Sequence, residues 1–216
     1  MENDSPSTSE SGSDIPRPSG PVAAFFETAL IVVLAIGLAF AIQAWVFKPY
    51  QIPSGSMEPT LDIGQRILVN RFVYHFKDPA TGDIAVFHPP AGAENGVECG
   101  VIAKQGEPCP RPTRERSSEN FVKRIVAGPG DKLTVKDGHP VVNGVWKRDE
   151  SYIRPCGEAS VCNMPKTITI PPDHYFMMGD NRGESDDSRY WGPVPRDWII
   201  GQAFATYWPP DRVGIF

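Results

Sequence analysis

The sequence predicts a mostly β protein: twisted antiparallel sheets in a barrel-like core, with a small β excursion, preceded by one transmembrane helix. Three observations carry this. The 216 residues contain 23 prolines and 20 glycines, and proline at twice its usual ~5% works against a helical bundle and favours short strands joined by turns. Short segments rich in β-branched and aromatic residues recur from Arg66 onward, each bounded by Gly, Pro, Asp or Asn. One stretch near the N-terminus is apolar enough and long enough to cross a bilayer.

In chain order, residues 1–21 are expected to be a disordered tail, because 1–20 hold six serines, three prolines and no aliphatic run. A regulatory segment is the functional alternative. Residues 22–47 are the expected transmembrane helix, with Ala29–Ile42 uninterrupted by any polar residue. At ~1.5 Å per residue such a helix exceeds a hydrocarbon layer of ~30 Å. A cleavable signal peptide is the rival reading, since Ala39-Phe40-Ala41 looks like its cleavage site. The near absence of a basic n-region and the apolar residues beyond that site favour the anchor. Orientation signals conflict. The tail has one base, whereas Lys48, Arg66 and Arg71 follow the span, which read literally puts the tail outside. The four cysteines form two close pairs, Cys99/Cys109 and Cys156/Cys162. They allow three connectivities, of which local pairing is preferred. Disulfides persist in oxidising compartments, so residues 48–216 are assigned to the outside of the cytoplasm.

The remaining chain divides into a core, 48–135 and 173–216, and an inserted excursion, 136–172. Strands are expected at Arg66–Asn70, Ile84–Phe87, Phe121–Ala127, Lys132–Val135, Thr167–Ile170, Tyr175–Met178 and Ile199–Tyr207. Residues 88–120 read as a long proline-rich loop holding one cysteine pair; the excursion holds the other. The net charge of −5 is concentrated at the start, with Glu2, Asp4, Glu10, Asp14 and Glu27 against Arg17. The near-neutral body argues against a nucleic-acid partner. Four histidines and four cysteines are scattered without CxxC or HExxH, so neither a zinc site nor any other metal or cofactor is expected.

Three segments carry chemistry. Gln51-Ile-Pro-Ser-Gly-Ser-Met-Glu-Pro-Thr60 is a tight turn with two serines. It lacks the G-x-S-x-G elbow, and no histidine stands in a triad context, so a nucleophilic Ser56 needs another base. Phe121-Val-Lys-Arg-Ile-Val-Ala127 supplies one. On a strand Lys123 shares a face with Phe121, Ile125 and Ala127. Desolvation there disfavours the ammonium and lowers its pKa, giving a neutral amine able to accept a proton. A snorkelling edge lysine is the plainer alternative. The third is Met177-Met-Gly-Asp-Asn-Arg-Gly-Glu-Ser-Asp-Asp-Ser-Arg-Tyr-Trp-Gly192, a polar loop in which Asp187 can pair with Arg189 and Ser185 can bond a lysine amine.

Together these segments resemble the bacterial type I signal peptidases (leader peptidases), serine proteases with a Ser–Lys dyad. The resemblance rests on Ser-Gly-Ser-Met-x-Pro-Thr-Leu at 54–61, Gly-Asp-Ile at 82–84, Val-Lys-Arg at 122–124 followed by Gly-Pro-Gly-Asp at 128–131, and Gly-Asp-Asn-Arg with Asp-Ser-Arg-Tyr-Trp-Gly at 179–192. It implies a membrane-anchored endopeptidase that removes signal peptides from exported preproteins after an Ala-x-Ala-like motif. It implies Ser56 as nucleophile, Lys123 as general base, and an oxyanion hole from the Ser54 hydroxyl and the Ser56 N–H. Ser185 would orient the Lys123 amine, with Asp187, Arg189 and Asp180 supporting that loop. Ile52, Met57, Leu61, Phe121 and Val122 match positions lining shallow pockets for small side chains. Cys156 and Cys162 resemble a bridged pair of some members; Cys99 and Cys109 have no such counterpart.

By the same resemblance the expected setting is a bacterial inner (cytoplasmic) membrane, single-pass, with the catalytic domain on the periplasmic side. The expected partners are preprotein signal peptides and the lipid bilayer, and a monomer is expected. Eight residues, Lys48–Gly55, join the span to Ser56, and at ~3.3 Å each they reach no more than about 26 Å. Two rivals stand: a self-cleaving Ser–Lys peptidase of another type, and a non-catalytic anchored β-domain.

Overall fold

The computed structural model describes residues 20–93, 99–101, 107, 109–146, 151–157 and 162–216. The expected tail therefore lies outside the described residues except at its last two positions. The chain forms two units, 1–42 and 43–216. The first holds most of helix α1, Pro21–Val46. Proline is tolerated at its first position, where no N–H is required. None of the apolar Pro21–Ala41 stretch is buried within the protein.

The second unit is built from strands β1 (Phe47–Gln51), β2 (Arg66–Asn70), β3 (Ile84–Phe87), β4 (Phe121–Ala127), β5 (Lys132–Lys136), β6 (His139–Val142), β7 (Val145–Trp146), β8 (Met164–Thr169), β9 (His174–Met178), β10 (Val194–Pro195), β11 (Ile199–Trp208) and β12 (Gly214–Ile215). A four-residue helix α2, Ser188–Trp191, follows β9. The larger sheet runs β1-β2-β11-β3-β4-β9-β10, with β12 also on β11; the smaller runs β7-β6-β5-β8. All paired strands are antiparallel. The fold is mostly β with one N-terminal apolar helix, as the composition predicts.

Differences from the expected elements have local causes. β1, which contains Pro49, is not among the expected strands; most of it lies in the Lys48–Gly55 stretch read only as the link between the span and Ser56. It pairs with β2 alone and forms the sheet edge, where a residue without an N–H is accommodated. β5 pairs only with β6 and β8, so the second sheet begins at Lys132 rather than after residue 135. Its hairpins turn at Asp137-Gly138 and Asn143-Gly144, all four residues at positive φ, the geometry of two-residue type I′ turns. β8 ends at Thr169, and Ile170 leaves the ladder to donate its N–H to the Asp131 carbonyl at 2.9 Å.

Three apolar clusters hold the unit together. Val126, Ala127, Phe176 and Met178 of the large sheet pack on Leu133, Val135, Met164 and Ile168 of the small one. Ala85, Phe87, Ile125, Tyr175 and Met177 pack with Trp191 and Trp198. Ile52, Met57 and Leu61 pack on Ile67, Val69, Ile84 and Val86. Both local cysteine pairs are bridged, Cys99–Cys109 and Cys156–Cys162.

Candidate active site

Ser56 sits in a single 3-10 turn, Gly55–Met57, anchored on both sides. Before it, the Ile52 N–H donates to the Gln65 carbonyl at 2.9 Å, and the Gly64 N–H returns to the Ile52 carbonyl at 2.8 Å. After it, Met57 is buried at 1% exposure and its carbonyl accepts from Leu61 N–H at 2.9 Å. A buried methionine on one side of Ser56 and an extended Ser54 (φ −138°) on the other leave the two serine hydroxyls adjacent, with Oγ atoms 3.4 Å apart.

Lys123 comes from the middle of β4, where its register partner is Ala85 of β3. It is 4% exposed. The small alanine opposite and Phe121 two residues earlier on the same face leave the chain in apolar surroundings. The amine lies 5.7 Å from the Phe121 ring centroid. Among the described residues it makes no hydrogen bond or ion pair. Burial lowers its pKa to about 8, against the raising influence of the Asp187, Asp186 and Asp180 carboxylates; Arg189 adds to the lowering.

The third segment, 179–189, ties the first two together. The Asn181 N–H donates to the Ser56 carbonyl at 3.1 Å, and its side-chain amide donates to the Gly55 carbonyl at 3.1 Å. Gly179 is packed so closely that a Cβ there would collide with the Ser185 Oγ and the Ser56 carbonyl. Hence Ser185 lies beside the Ser56 backbone, its buried hydroxyl without a partner among the described residues. Asp187 is fully buried and accepts from Arg189 Nε at 2.8 Å, from the second guanidinium nitrogen at 2.8 Å and from the Gly179 N–H at 3.0 Å. Burial by itself would push this carboxyl up; the Arg189 guanidinium, its hydrogen bonds and nearby Lys123 outweigh that and hold it below the usual range. Asp180 is clamped by Arg124 through two bonds of 2.9 and 2.7 Å and by the Thr60 hydroxyl.

A 310 Å³ cleft is lined by Ser54, Ser56 and Lys123 together with Ile52, Met57, Phe121 and Val122. Leu61 departs from the expected pocket lining: it is fully buried in the cluster beneath the turn and does not reach the cleft. Ser185, Asp187, Arg189 and Asp180 stand behind the cleft wall rather than on it. The cleft also takes in Glu119, Glu184 and Asp186, which sequence reading passed over. Nor did it single out Asn181 and Gly179, although both fall in the quoted Gly-Asp-Asn-Arg segment. Among the described residues no cluster of His, Cys, Asp or Glu is placed to hold a metal ion. A hydroxyl and a partnerless amine of lowered pKa in one cleft suit proton transfer from oxygen to nitrogen.

A family profile described as signal peptidase, peptidase S26, matches residues 25–208. The chain belongs to this family. Similar relatives include a probable signal peptidase I-2 of Synechocystis, 35% identical over 92% of this chain and 80% of the relative. A signal peptidase I of Leptolyngbya laminosa is 34% identical over 96% of each. One of Pseudomonas aeruginosa is 31% identical over 88% of this chain and 72% of the relative. A solved signal peptidase I from Enterococcus faecalis aligns with 58% of this chain and 97% of its own at 25% identity, with a TM-score of 0.34. As a member of the family, the protein is a serine peptidase that removes signal peptides. Its exposed N-terminal apolar helix is consistent with membrane anchoring.

Proposed function

We propose that Ser56 is the nucleophile and Lys123 the general base of this signal peptidase. The observation that carries the assignment is the buried Lys123 amine, without a hydrogen-bonding partner among the described residues, in the cleft that contains Ser56. The neutral amine takes the Ser56 hydroxyl proton as Oγ attacks the scissile carbonyl carbon. The resulting oxyanion is held by the Ser56 N–H and the Ser54 hydroxyl. Lys123, now an ammonium, gives its proton to the leaving amine as the peptide C–N bond breaks. Water then attacks the acyl-enzyme with the same amine as base, releasing the new carboxyl end and restoring Ser56. Ser185, whose hydroxyl and the Lys123 amine make no bond to each other in this structure, is assigned to orient the amine when substrate is bound, and the Asp187–Arg189 pair fixes the segment that carries it.

The cleft walls fit an extended substrate read by small pockets on Ile52, Met57, Phe121 and Val122, which supports cleavage after an Ala-x-Ala-like motif. α1 spans the bilayer in this reading, and the two disulfides support an extracytoplasmic catalytic unit in a bacterial inner membrane. The test is incubation of the full chain with a preprotein in detergent, mapping the new N-terminus. Ser56→Ala and Lys123→Ala are each expected to lose processing while keeping the wild-type near-ultraviolet dichroism. Near-normal cleavage by either variant overturns the dyad.

A further inference from the structure

A second concavity of 770 Å³ is lined by Arg71, Phe72, His88, Arg116, Asp197 and Trp198, with the start of β11 beside them. Its place in the fold follows from backbone contacts. The Arg71 N–H donates to the carbonyl of Val46, the last residue of α1, at 2.9 Å. Asn70 then accepts through Oδ1 from Phe72 N–H at 2.9 Å and Val73 N–H at 3.0 Å, fixing the turn that carries Arg71 and Phe72. β11 crosses close behind: the Arg71 Cα lies 2.9 Å from where a Cβ on Gly201 would sit. Only a glycine there lets Ile199 and Ile200 lie beside Arg71. The His88 N–H donates to the Trp198 carbonyl at 2.9 Å, closing the floor.

The charge of this concavity is unspent. Among the described residues neither Arg71 nor Arg116 makes an ion pair or side-chain hydrogen bond. Asp197 is its one carboxylate. Beside it, Phe72 and Phe76 are 47% and 79% exposed and meet edge to face with ring centroids 5.1 Å apart. Two guanidiniums without a partner among the described residues, in a concavity edged by exposed aromatic rings and bonded through Arg71 N–H to the last residue of α1, match the chemistry of a bilayer interface, where phosphates and acyl chains meet.

We propose that this pocket binds the headgroup phosphate of an anionic phospholipid, with Arg71 and Arg116 as its phosphate contacts and Phe72 and Phe76 seated in the interfacial layer. This rests on the reading of α1 as a membrane span. Glu119, whose carbonyl meets the His88 ring at 3.1 Å, lines the Ser56 cleft, so a lipid so held adjoins the cleft mouth.

The test uses the full chain in detergent micelles, with bound lipid counted by native mass spectrometry after adding phosphatidylglycerol or phosphatidylcholine. Wild type is expected to retain phosphatidylglycerol roughly tenfold to thirtyfold over phosphatidylcholine, from two basic side chains near a membrane surface. Arg71→Gln/Arg116→Gln is expected to lose that preference while cleaving a preprotein in detergent at the wild-type rate. Equal retention of phosphatidylglycerol by the double variant overturns the proposal, as does absence of a preference in wild type. Displacement of the lipid by millimolar inorganic phosphate reassigns the pocket to a free anion and overturns it too. Alkaline carbonate extraction of membranes tests the span separately: a chain that stays in the pellet without lipid preference loses this site alone, and one that is extracted loses the span as well.

Discussion

The two faces of β4 carry neighbouring cations with opposite fates. Arg124, on one face, grips Asp180 with two bonds and also donates to the Gly82 carbonyl at 2.9 Å. Lys123, on the other, is buried at 4% exposure and its amine has no hydrogen-bonding partner among the described residues. Both side chains are desolvated; one retains its charge through a partner and the other is biased toward giving its proton up. Pairing, rather than burial, separates a structural cation from a reactive one here. Charge at Lys123 is a cost to the fold, tolerated because the chemistry needs an amine that is neutral near physiological pH.

Breaking the paired side has the larger effect on stability. Asp180→Asn leaves the Arg124 guanidinium without its counter-charge at 11% side-chain exposure, and is expected to cost about 3–5 kcal/mol, read from the urea midpoint of the full chain. A shift under ~1 kcal/mol would make the pair equivalent to an exposed surface bridge.

Removing the unpaired cation is expected to work the other way. The Lys123 pKa is lowered by folding, so protonation favours the unfolded chain. The penalty is complete below about 8, fades between there and the ordinary 10.5, and is absent above. Lys123→Met is therefore expected to stabilise the protein at pH 7 by about 3 kcal/mol, the equivalent of the shift at ~1.4 kcal/mol per unit. That advantage should vanish above pH 10.5. A variant less stable than wild type at pH 7 would mean the amine is favourably bound.

The smallest effect sharpens the same contrast. The Asp186 carboxylate raises the Lys123 pKa against burial. Asp186→Asn is expected to move the alkaline-rising limb of single-turnover cleavage to lower pH, leaving the plateau unchanged. A limb that stays in place would remove Asp186 from the field acting on the amine.

Much of this contrast could be read before any coordinates. Alternation along 121–127 placed Lys123 and Arg124 on opposite faces, and apolar neighbours marked Lys123 as desolvated. The partner of Arg124 could not be read, because Asp180 lies 56 residues away and only the β4–β9 register, Arg124 opposite Met178, brings it near. Gly179 was hidden for a related reason: its role is steric, a Cβ-sized space shared by Ser185 and the Ser56 carbonyl, and no local pattern reports a close approach between distant segments. Leu61 was placed in the pocket by the family resemblance alone, yet the helical-type bond from its N–H to the Met57 carbonyl turns it under the serine turn instead. The small sheet was partly legible and partly missed. Asp137-Gly138 and Asn143-Gly144 are strong hairpin signals, but proline at position 140 masked β6 between them.

The most direct measurement is the titration of the Lys123 amine itself, followed by NMR of the full-length Ser56→Ala protein in detergent with lysine labelled at the ε-carbon and Lys123 assigned by its loss in Lys123→Met. A midpoint near 8 is expected. A midpoint near 10.5, the value of a solvated lysine, would contradict the account, because the amine would then be charged whenever Ser56 needs it empty.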